Sequence, residues 1–448
     1  MSKLLKLIIT IPVWIIAASS ASAQENYQPS PEIVAAQEQF RENRFGIFIH
    51  WGIYSMYGQG EWALNYNGLT HEEYSKMAGG FYPADFDAAE WVSAVKAAGA
   101  KYICITTRHH DGFSMFDSKC TDYDIMDATP FRRDIIAELA EECERQGIAL
   151  HFYYSLIDWG RNDAPRGRTG QGTGRPEATD PDTYFDFMKC QLTELLTSYG
   201  NVGCIWFDGN WDHEDGEQPY DFRYDELYPL IHGLQPSCLI GNNHHITPYP
   251  GEDIQIFERD IPGENTAGWH SGGVSTTLPL ETCQTMNGSW GYRMTDQNYK
   301  STDELIRYLV STAGRDANLL LNVGPQPNGN IPAAALERLA AMGEWLAANG
   351  ETIYGTRSIL VKPQPWGVTT HKDDRMWLHV FPADAFKAAS DGQIYVPYKA
   401  GRKVASVTPF GSPDVKLGFK QYKEGLFVTL PSDMPADVPD YIVEVTFK

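Results

Sequence analysis

Four times along this chain, a stretch with helical spacing stops at a glycine and a short apolar run follows at once. Residues 87–98 stop at Gly99 before 102–107, and 134–146 at Gly147 before 149–155. Residues 183–199 stop at Gly200 before 202–208, and 302–313 at Gly314 before 317–323. A glycine just past a helix is the left-handed cap signal. A buried strand after each cap is the rhythm of a parallel sheet covered by helices. The full set of strand-like runs is 46–50, 102–107, 149–155, 202–208, 238–242, 253–258, 285–290 and 318–323. Eight such runs predict an α/β chain folded as a (β/α)8 TIM-like barrel. An open doubly wound sheet is the alternative. The two differ in whether His50, His109, Asp208 and Glu258, all at strand ends, converge on one face.

A last helix over 333–349 closes this region. Beyond Thr356 the pattern changes to short alternating runs at 359–362, 376–381, 393–398, 405–408, 426–430 and 441–448. They are rich in Val, Tyr and Phe and are broken by Pro, Gly and Asp, which predicts a small C-terminal antiparallel β-sandwich. Packing against the barrel is favoured over carbohydrate binding as its role. The expected division is a signal peptide over 1–23, a barrel over 24–355 and the sandwich over 356–448. Residues 24–40 read as a polar lead into the fold.

Lys3 and Lys6 precede an apolar core over 7–18 and the small residues Ala21-Ser22-Ala23, the form of a secretory leader cleaved before Gln24. The apolar stretch is short for a bilayer span, and no later stretch is apolar enough. Export to the periplasm or the medium, without stable membrane insertion, is expected. The formal net charge is −22, and removal of the two leader lysines makes it −24. That argues against a nucleic-acid partner and disfavours a phosphorylated or sulfated substrate.

Seven cysteines, Cys104, Cys120, Cys143, Cys190, Cys204, Cys238 and Cys283, are scattered, and several sit in apolar runs. No disulfide framework and no zinc site are expected, and one incidental disulfide stays open. Residues 161–176 hold Gly167, Gly170, Gly172 and Gly174 with four arginines. No helix starts directly after them and no Gly-Lys-Ser/Thr appears. A mobile loop shaping substrate entry is therefore favoured over a phosphate site. The sequence leaves oligomeric state open.

The chemistry gathers at strand ends. Ile205-Trp206-Phe207-Asp208-Gly209 is an apolar run ending in one carboxylate, and Ile256-Phe257-Glu258 ends in another. Retaining glycoside hydrolysis needs one ionised carboxylate to attack and one protonated carboxyl to donate. A rigid strand-end Asp208 with nearby donors suits the first role. Glu258, following two apolar residues, suits the second, since partial burial raises a carboxyl pKa.

Adjacent His109 and His110 in Arg108-His109-His110-Asp111 could chelate one metal ion only if their strand has already ended. No third spaced ligand accompanies them, so hydrogen bonding to sugar hydroxyls is favoured and no metal is expected. Trp51, Trp62, Trp206 and Trp290 fall at or near strand ends, where ring faces suit the apolar side of a sugar. Glu61 precedes Trp62 in the loop after the first strand.

These segments resemble the α-L-fucosidases of glycoside hydrolase family 29. The matching stretches are Arg44-Phe45-Gly46-Ile47-Phe48-Ile49-His50-Trp51-Gly52, Glu61-Trp62, Arg108-His109-His110-Asp111-Gly112-Phe113 and Trp206-Phe207-Asp208-Gly209. Further matches are Glu281-Thr282-Cys283, Ser289-Trp290-Gly291-Tyr292 and Asn318-Leu319-Leu320-Leu321-Asn322-Val323-Gly324-Pro325.

The resemblance implies a barrel with a C-terminal β-sandwich and retaining exo-hydrolysis of terminal α-L-fucose from glycans, with no metal or organic cofactor. It implies Asp208 as nucleophile. His50, Glu61, Trp62, His109, His110, Tyr154, Trp206 and Trp290 would form the fucose pocket. Phe257-Glu258-Arg259-Asp260-Ile261-Pro262 resembles the segment carrying the acid/base and selects Glu258, with Glu281, Glu264 and Asp260 as rivals. Asn242-Asn243-His244-His245 departs from some members, where an Arg is expected. A related sugar such as an α-L-galactoside, or a non-catalytic glycan-binding barrel, is the alternative.

Overall fold

The computed structural model describes residues 27–176, 179–214, 220–399 and 401–448, so the stretch read as a secretory leader lies outside the described residues. Eight parallel strands form one sheet. They are β1 (Phe45–Ile49), β2 (Tyr102–Arg108), β3 (Ala149–Ser155), β4 (Cys204–Asp208), β5 (Leu239–Asn243), β6 (Gln255–Glu258), β7 (Leu280–Thr285) and β8 (Ala317–Val323). Their order is β5-β4-β3-β2-β1-β8-β7-β6. β1 pairs with β2 on one side and β8 on the other, which leaves β5 and β6 at the two margins of the sheet. β5 and β6 meet at the bridge from Gly241 to Ile254. The result is a nearly closed barrel rather than an open sheet.

The longer helices are α1 (Pro31–Asn43), α2 (Ala88–Ala97), α3 (Ile135–Gln146), α4 (Pro181–Ser198), α5 (Tyr224–Leu234), α6 (Thr302–Ala313) and α7 (Ala333–Asn349). α2 to α7 follow β1, β2, β3, β4, β7 and β8, while the β5–β6 and β6–β7 connections run without a helix. Those two connections carry Pro248, Pro250, Pro262, Gly263, Gly268, Gly272 and Gly273, which break helices.

Three of the four expected glycine caps are left-handed, with φ of 87°, 72° and 71° at Gly99, Gly147 and Gly200. Gly314 stays right-handed at φ −67°. A Cβ there would come within 2.3 Å of the Val368 side chain, so close packing rather than a turn requires this glycine.

Strand alternation sorts the side chains into two cores. In β3, Leu150, Phe152 and Tyr154 face the surrounding helices, while Tyr153 joins Phe48, Tyr102, Cys204 and Trp206 inside the barrel. The stretch expected as a polar lead is in part helix α1, capped by Ser30. Its Ile33 and Phe40 join the interior cluster, and Gln37 Nε2 donates to the Asp253 carbonyl at 2.8 Å.

The seventh strand is the largest departure from the expected elements. It runs over Leu280–Thr285, not 285–290. Its Glu-Thr-Cys-Gln-Thr sequence lacks an apolar run because the barrel interior supplies polar partners for Glu281.

After α7, strands β9 (Gly367–Lys372), β10 (Arg375–Val380), β12 (Val404–Pro409) and β15 (Tyr441–Phe447) form one antiparallel sheet. β11 (Gln393–Val396), β13 (Phe419–Tyr422) and β14 (Gly425–Thr429) form a second. Met376, Leu378, Val396, Leu426 and Val443 share the core of this sandwich. The expected run 359–362 is a turn with Ile359 exposed, and β9 and β13 were not anticipated. The sandwich is fastened to the barrel by Thr370 Oγ1, which donates to the Thr352 carbonyl at 2.6 Å. Arg307 Nε likewise donates to the Pro439 carbonyl at 3.0 Å.

Cys120 and Cys190 form a disulfide that joins the loop after β2 to α4, and the other five cysteines are buried thiols. No helix among the described residues is long and apolar enough to cross a membrane.

Candidate active site

The strands' C-terminal ends open into a cavity of about 380 Å³, counting its mouth. His50, Glu61, Trp62, His109, His110, Trp206, Asp208, Glu258 and Trp290 line it. A wider cleft at the opposite end, where Gly147 to Leu150 enter β3, is bordered by Glu141 and Glu144 and lacks the aromatic and histidine set.

Two expected residues lie elsewhere. Tyr154 faces the helices, where its hydroxyl accepts from Arg108 Nη1 at 3.1 Å and donates to Gln191 Oε1 at 3.0 Å. The cavity residue is its neighbour Tyr153. The pattern His151-Phe152-Tyr153-Tyr154-Ser155 carried the signal, since the polar His and Ser share a face with Tyr153. Trp51 is also absent from the cavity. It is fully buried against Phe81, Phe86 and Trp91 on the helix side.

Asp208 is the last residue of β4, and Gly209 turns the chain sharply after it with φ 104°. That turn returns the Gly209 N–H to Asp208 Oδ1 at 2.8 Å. Trp211 Nε1 donates to the same oxygen at 2.8 Å, and the Tyr153 hydroxyl donates to Oδ2 at 2.9 Å. Hydrogen bonds to a charged group are worth about 1.5–3 kcal/mol each, and here they also fix the carboxylate's direction.

Asn243, the last residue of β5, joins the two acids. Its Nδ2 lies 3.2 Å from Asp208 Oδ1 and 2.8 Å from Glu258 Oε2. An amide nitrogen carries two hydrogens, one for each acid. Those two distances put the oxygens no more than 6.0 Å apart. Retention calls for about 5–5.5 Å between carboxyls, and inversion for about 6.5–9.5 Å.

His245 sits with a left-handed φ of 64°, and its Nε2 lies 3.1 Å from Glu258 Oε2. Asn243 and His245 thus occupy the side where the sequence lacks the expected Arg. No local sequence pattern marks the partners of either residue.

The charge distribution reverses the sequence expectation for the acids. Burial alone would raise Glu258, but the hydrogen bond and charge of His245, with Asn243 and Arg259, hold it below the usual range. Asp208 is pushed up to about 6 by burial and by the charge of Glu258. Burial opposes a charge on His245, yet Glu258 and Asp208 lift it above its ordinary value.

Three histidines of the cavity, His50, His109 and His110, are held neutral. Burial takes His50 and His110 down to about 3 and His109 well below the usual range. His50 Nδ1 lies 2.6 Å from Asn322 Oδ1, whose own amide nitrogen donates to the Trp290 carbonyl. Nδ1 therefore carries the proton and Nε2 is an acceptor. The Ser155 hydroxyl donates to the Ile157 carbonyl, so it accepts from His110 Nδ1 at 2.7 Å. β2 ends at Arg108, which lets both following imidazoles turn inward with ring centroids 4.2 Å apart.

Aromatic walls complete the cavity. Trp206 stacks on Tyr153 at 5.5 Å, and Trp62 stacks on Trp211 at 5.8 Å. Trp290 lies 5.2 Å from the His50 ring. Glu61 Oε2 accepts the Gly291 N–H at 2.8 Å, which ties the first loop to the seventh. The 161–176 loop, expected to be mobile, is fastened to this rim. Thr169 N donates to Asp212 Oδ1 and Gly170 N to Asn65 Oδ1, each at 2.8 Å.

The rival acids have other partners. Glu281 lies within β7, where it accepts from the Tyr102 hydroxyl at 2.6 Å and from Trp206 Nε1 at 2.8 Å. Asp260 caps the backbone of Thr266 and Ala267. Glu264 pairs with Arg315.

The alpha-L-fucosidase family model matches residues 14–351. The chain is 30% identical to the tissue alpha-L-fucosidase of Bos taurus over 444 residues, spanning 89% of this chain and 86% of the other. Among solved structures, the alpha-L-fucosidase isoenzyme 1 of Paenibacillus thiaminolyticus superposes with a TM-score of 0.80 at 33% identity, covering 93% of this chain and all of that one. The GH29 alpha-L-fucosidase of Bacteroides thetaiotaomicron, trapped as a covalent intermediate with 2-fluoro-fucosyl fluoride, superposes with a TM-score of 0.77 at 25% identity, covering 94% and 97%. A nearly closed barrel carrying two carboxylates under one amide, in a chain matched over most of its length, belongs to the α-L-fucosidase family.

Proposed function

We propose that this chain is a retaining exo-α-L-fucosidase in which Asp208 is the nucleophile and Glu258 the acid/base. The observation that carries the assignment is the shared Asn243 amide, which keeps one oxygen of each carboxylate no more than 6.0 Å apart, short of the spacing inversion needs. Asp208 attacks the anomeric carbon and the bond to the leaving oxygen breaks. The proton of the Glu258 carboxyl goes to that oxygen, leaving a fucosyl ester on Asp208. Glu258 then takes a proton from water, whose oxygen attacks the same carbon and frees Asp208.

The neutral Nε2 atoms of His50 and His110 serve as acceptors for sugar hydroxyls, and Glu61 and His109 supply further polar contacts. Trp62, Trp206 and Trp290 wall the sugar's apolar face. Tyr153 replaces Tyr154 in this set because it bonds the nucleophile. In the same reading, residues 24–355 form the catalytic barrel, 356–448 an accessory sandwich, and 1–23 a leader for export.

Asp208→Asn should lower turnover of 4-nitrophenyl α-L-fucoside by at least about 10³-fold. Substantial residual turnover in that variant rejects Asp208 as nucleophile.

A further inference from the structure

The leaving group of a retaining reaction departs on the side of the acid, so the surface beyond Glu258 determines what the sugar can be attached to. That surface is built around an exposed tryptophan. Trp269 is 46% exposed, yet its ring stacks on His245 at 5.9 Å and 30°. His245 in turn touches Glu258. The three side chains run outward from the reacting centre in one line of contacts.

The loop that carries Trp269 is tightly made. Asp260 Oδ1 accepts the N–H groups of Thr266 and Ala267 at its base, at 2.7 and 3.1 Å. Asn265 closes it by donating to the His270 carbonyl at 2.8 Å and accepting the His270 N–H at 3.2 Å. The Ser271 N–H then donates to the His245 carbonyl at 2.8 Å, which locks the loop to the residue beside the acid. A large ring so firmly presented and left in water has a free face for a ligand. Tryptophan offers a wide, rigid contact at low entropy cost. Trp62, Trp211 and Tyr66 pile up beside Asp208, whose Oδ1 Trp211 bonds, whereas Trp269 stands against His245, the partner of Glu258.

We propose that Trp269, braced by His245, is the platform on which the pyranose ring of the leaving sugar stacks. This rests on Glu258 being the acid, as argued above. The ligand class is a pyranose or N-acetylated pyranose presenting its C–H face, and Trp269 is a specificity-determining residue rather than part of the fucose pocket.

The test compares wild type, Trp269→Ala and Trp269→Phe on two kinds of substrate. One is α-L-fucosyl fluoride, whose leaving group is a single atom. The other is a panel of disaccharides with α-L-fucose on O2 of galactose or on O3, O4 or O6 of N-acetylglucosamine. With Ala, kcat/KM on the cleaved disaccharide should fall about tenfold further than on the fluoride, chiefly through KM, and Phe should recover most of that loss. Equal losses on both substrates, no loss on either, or a wild type that cleaves the fluoride but no member of the panel overturns the platform. A wild type inert toward the fluoride overturns the fucosidase assignment itself, which keeps the two failures distinct.

Discussion

Nε2 of His245 lies 3.1 Å from Oε2 of Glu258, so the carboxyl proposed as the acid is paired with a second proton carrier. Together the two hold one exchangeable proton for as long as His245 is protonated. Burial works against that charge, but Glu258 and Asp208 lift His245 above its ordinary 6.5, and the proton is lost as pH rises through the lifted value. As the proposed nucleophile, Asp208 must be ionised to attack. Burial and Glu258 bring it to about 6, so the nucleophile is lost as pH falls through that value. A bell-shaped kcat/KM profile follows, with its acid limb near 6 and its alkaline limb above 6.5. His245→Asn should narrow the bell from both sides. Glu258 then titrates as a lone carboxyl, and Asp208 loses a cation that held it down. An alkaline limb that stays in place separates His245 from the proton.

Glu258→Ala should discriminate between leaving groups. An activated aryl fucoside needs little proton donation, whereas an oligosaccharide needs it fully. The loss on a fucosylated oligosaccharide should exceed that on the aryl fucoside by about 100-fold. Matching losses on the two substrates would assign the acid role to a different residue.

The two adjacent tyrosines should part company. Tyr153→Phe removes a donor from Asp208 Oδ2, so it should lower kcat/KM and move the acid limb to higher pH. Tyr154→Phe leaves Arg108 Nη1 without its acceptor inside a buried cluster. That variant should lose about 1–3 kcal/mol in chemical denaturation with its pH profile unmoved. Swapped outcomes, with Tyr154→Phe shifting the acid limb, would put Tyr154 back at the nucleophile.

That pair also shows where the sequence could be read and where it could not. Strand ends at His50, His109, Asp208 and Glu258 were legible because apolar runs stop there, and all four line the cavity. Seven of the eight barrel strands stood out for the same reason. β7 did not, because its residues are mostly polar, and Glu281 finds its partners, Tyr102 and Trp206, on distant strands. The reach of Asn243 to both acids has the same origin. It depends on neighbouring strand ends at the mouth, and no local spacing records that.

Glu281 makes a separate prediction about stability. Burial pushes its carboxyl up to about 7 from 4.5, against the two hydrogen bonds that favour the charged form. A group raised on folding stabilises the fold fully below its unfolded value, and that contribution is lost as pH rises through the folded one. Melting temperature in the wild type should therefore fall between about pH 4.5 and 7 relative to Glu281→Gln, which stays neutral and keeps an oxygen for Trp206. Thermal melts of both proteins across that range check it, and parallel curves would count against an ionisation cost in the core.

The bridge between Gly241 and Ile254 is where the barrel wall is thinnest, and it lies directly beneath Asn243 on one margin and Glu258 on the other. A Cβ at Gly241 would meet Ile254 and Ile256 side chains at 2.7–2.9 Å, so the margins touch through interlocked hydrocarbon instead of a continuous ladder. Asp208 and Glu258, the acids proposed to react, therefore straddle a seam, with the Asn243 amide as its clasp. Any widening of that seam lengthens the gap between attack and protonation, which makes the stereochemical fidelity of the enzyme a property of how well two isoleucines fit beneath one glycine.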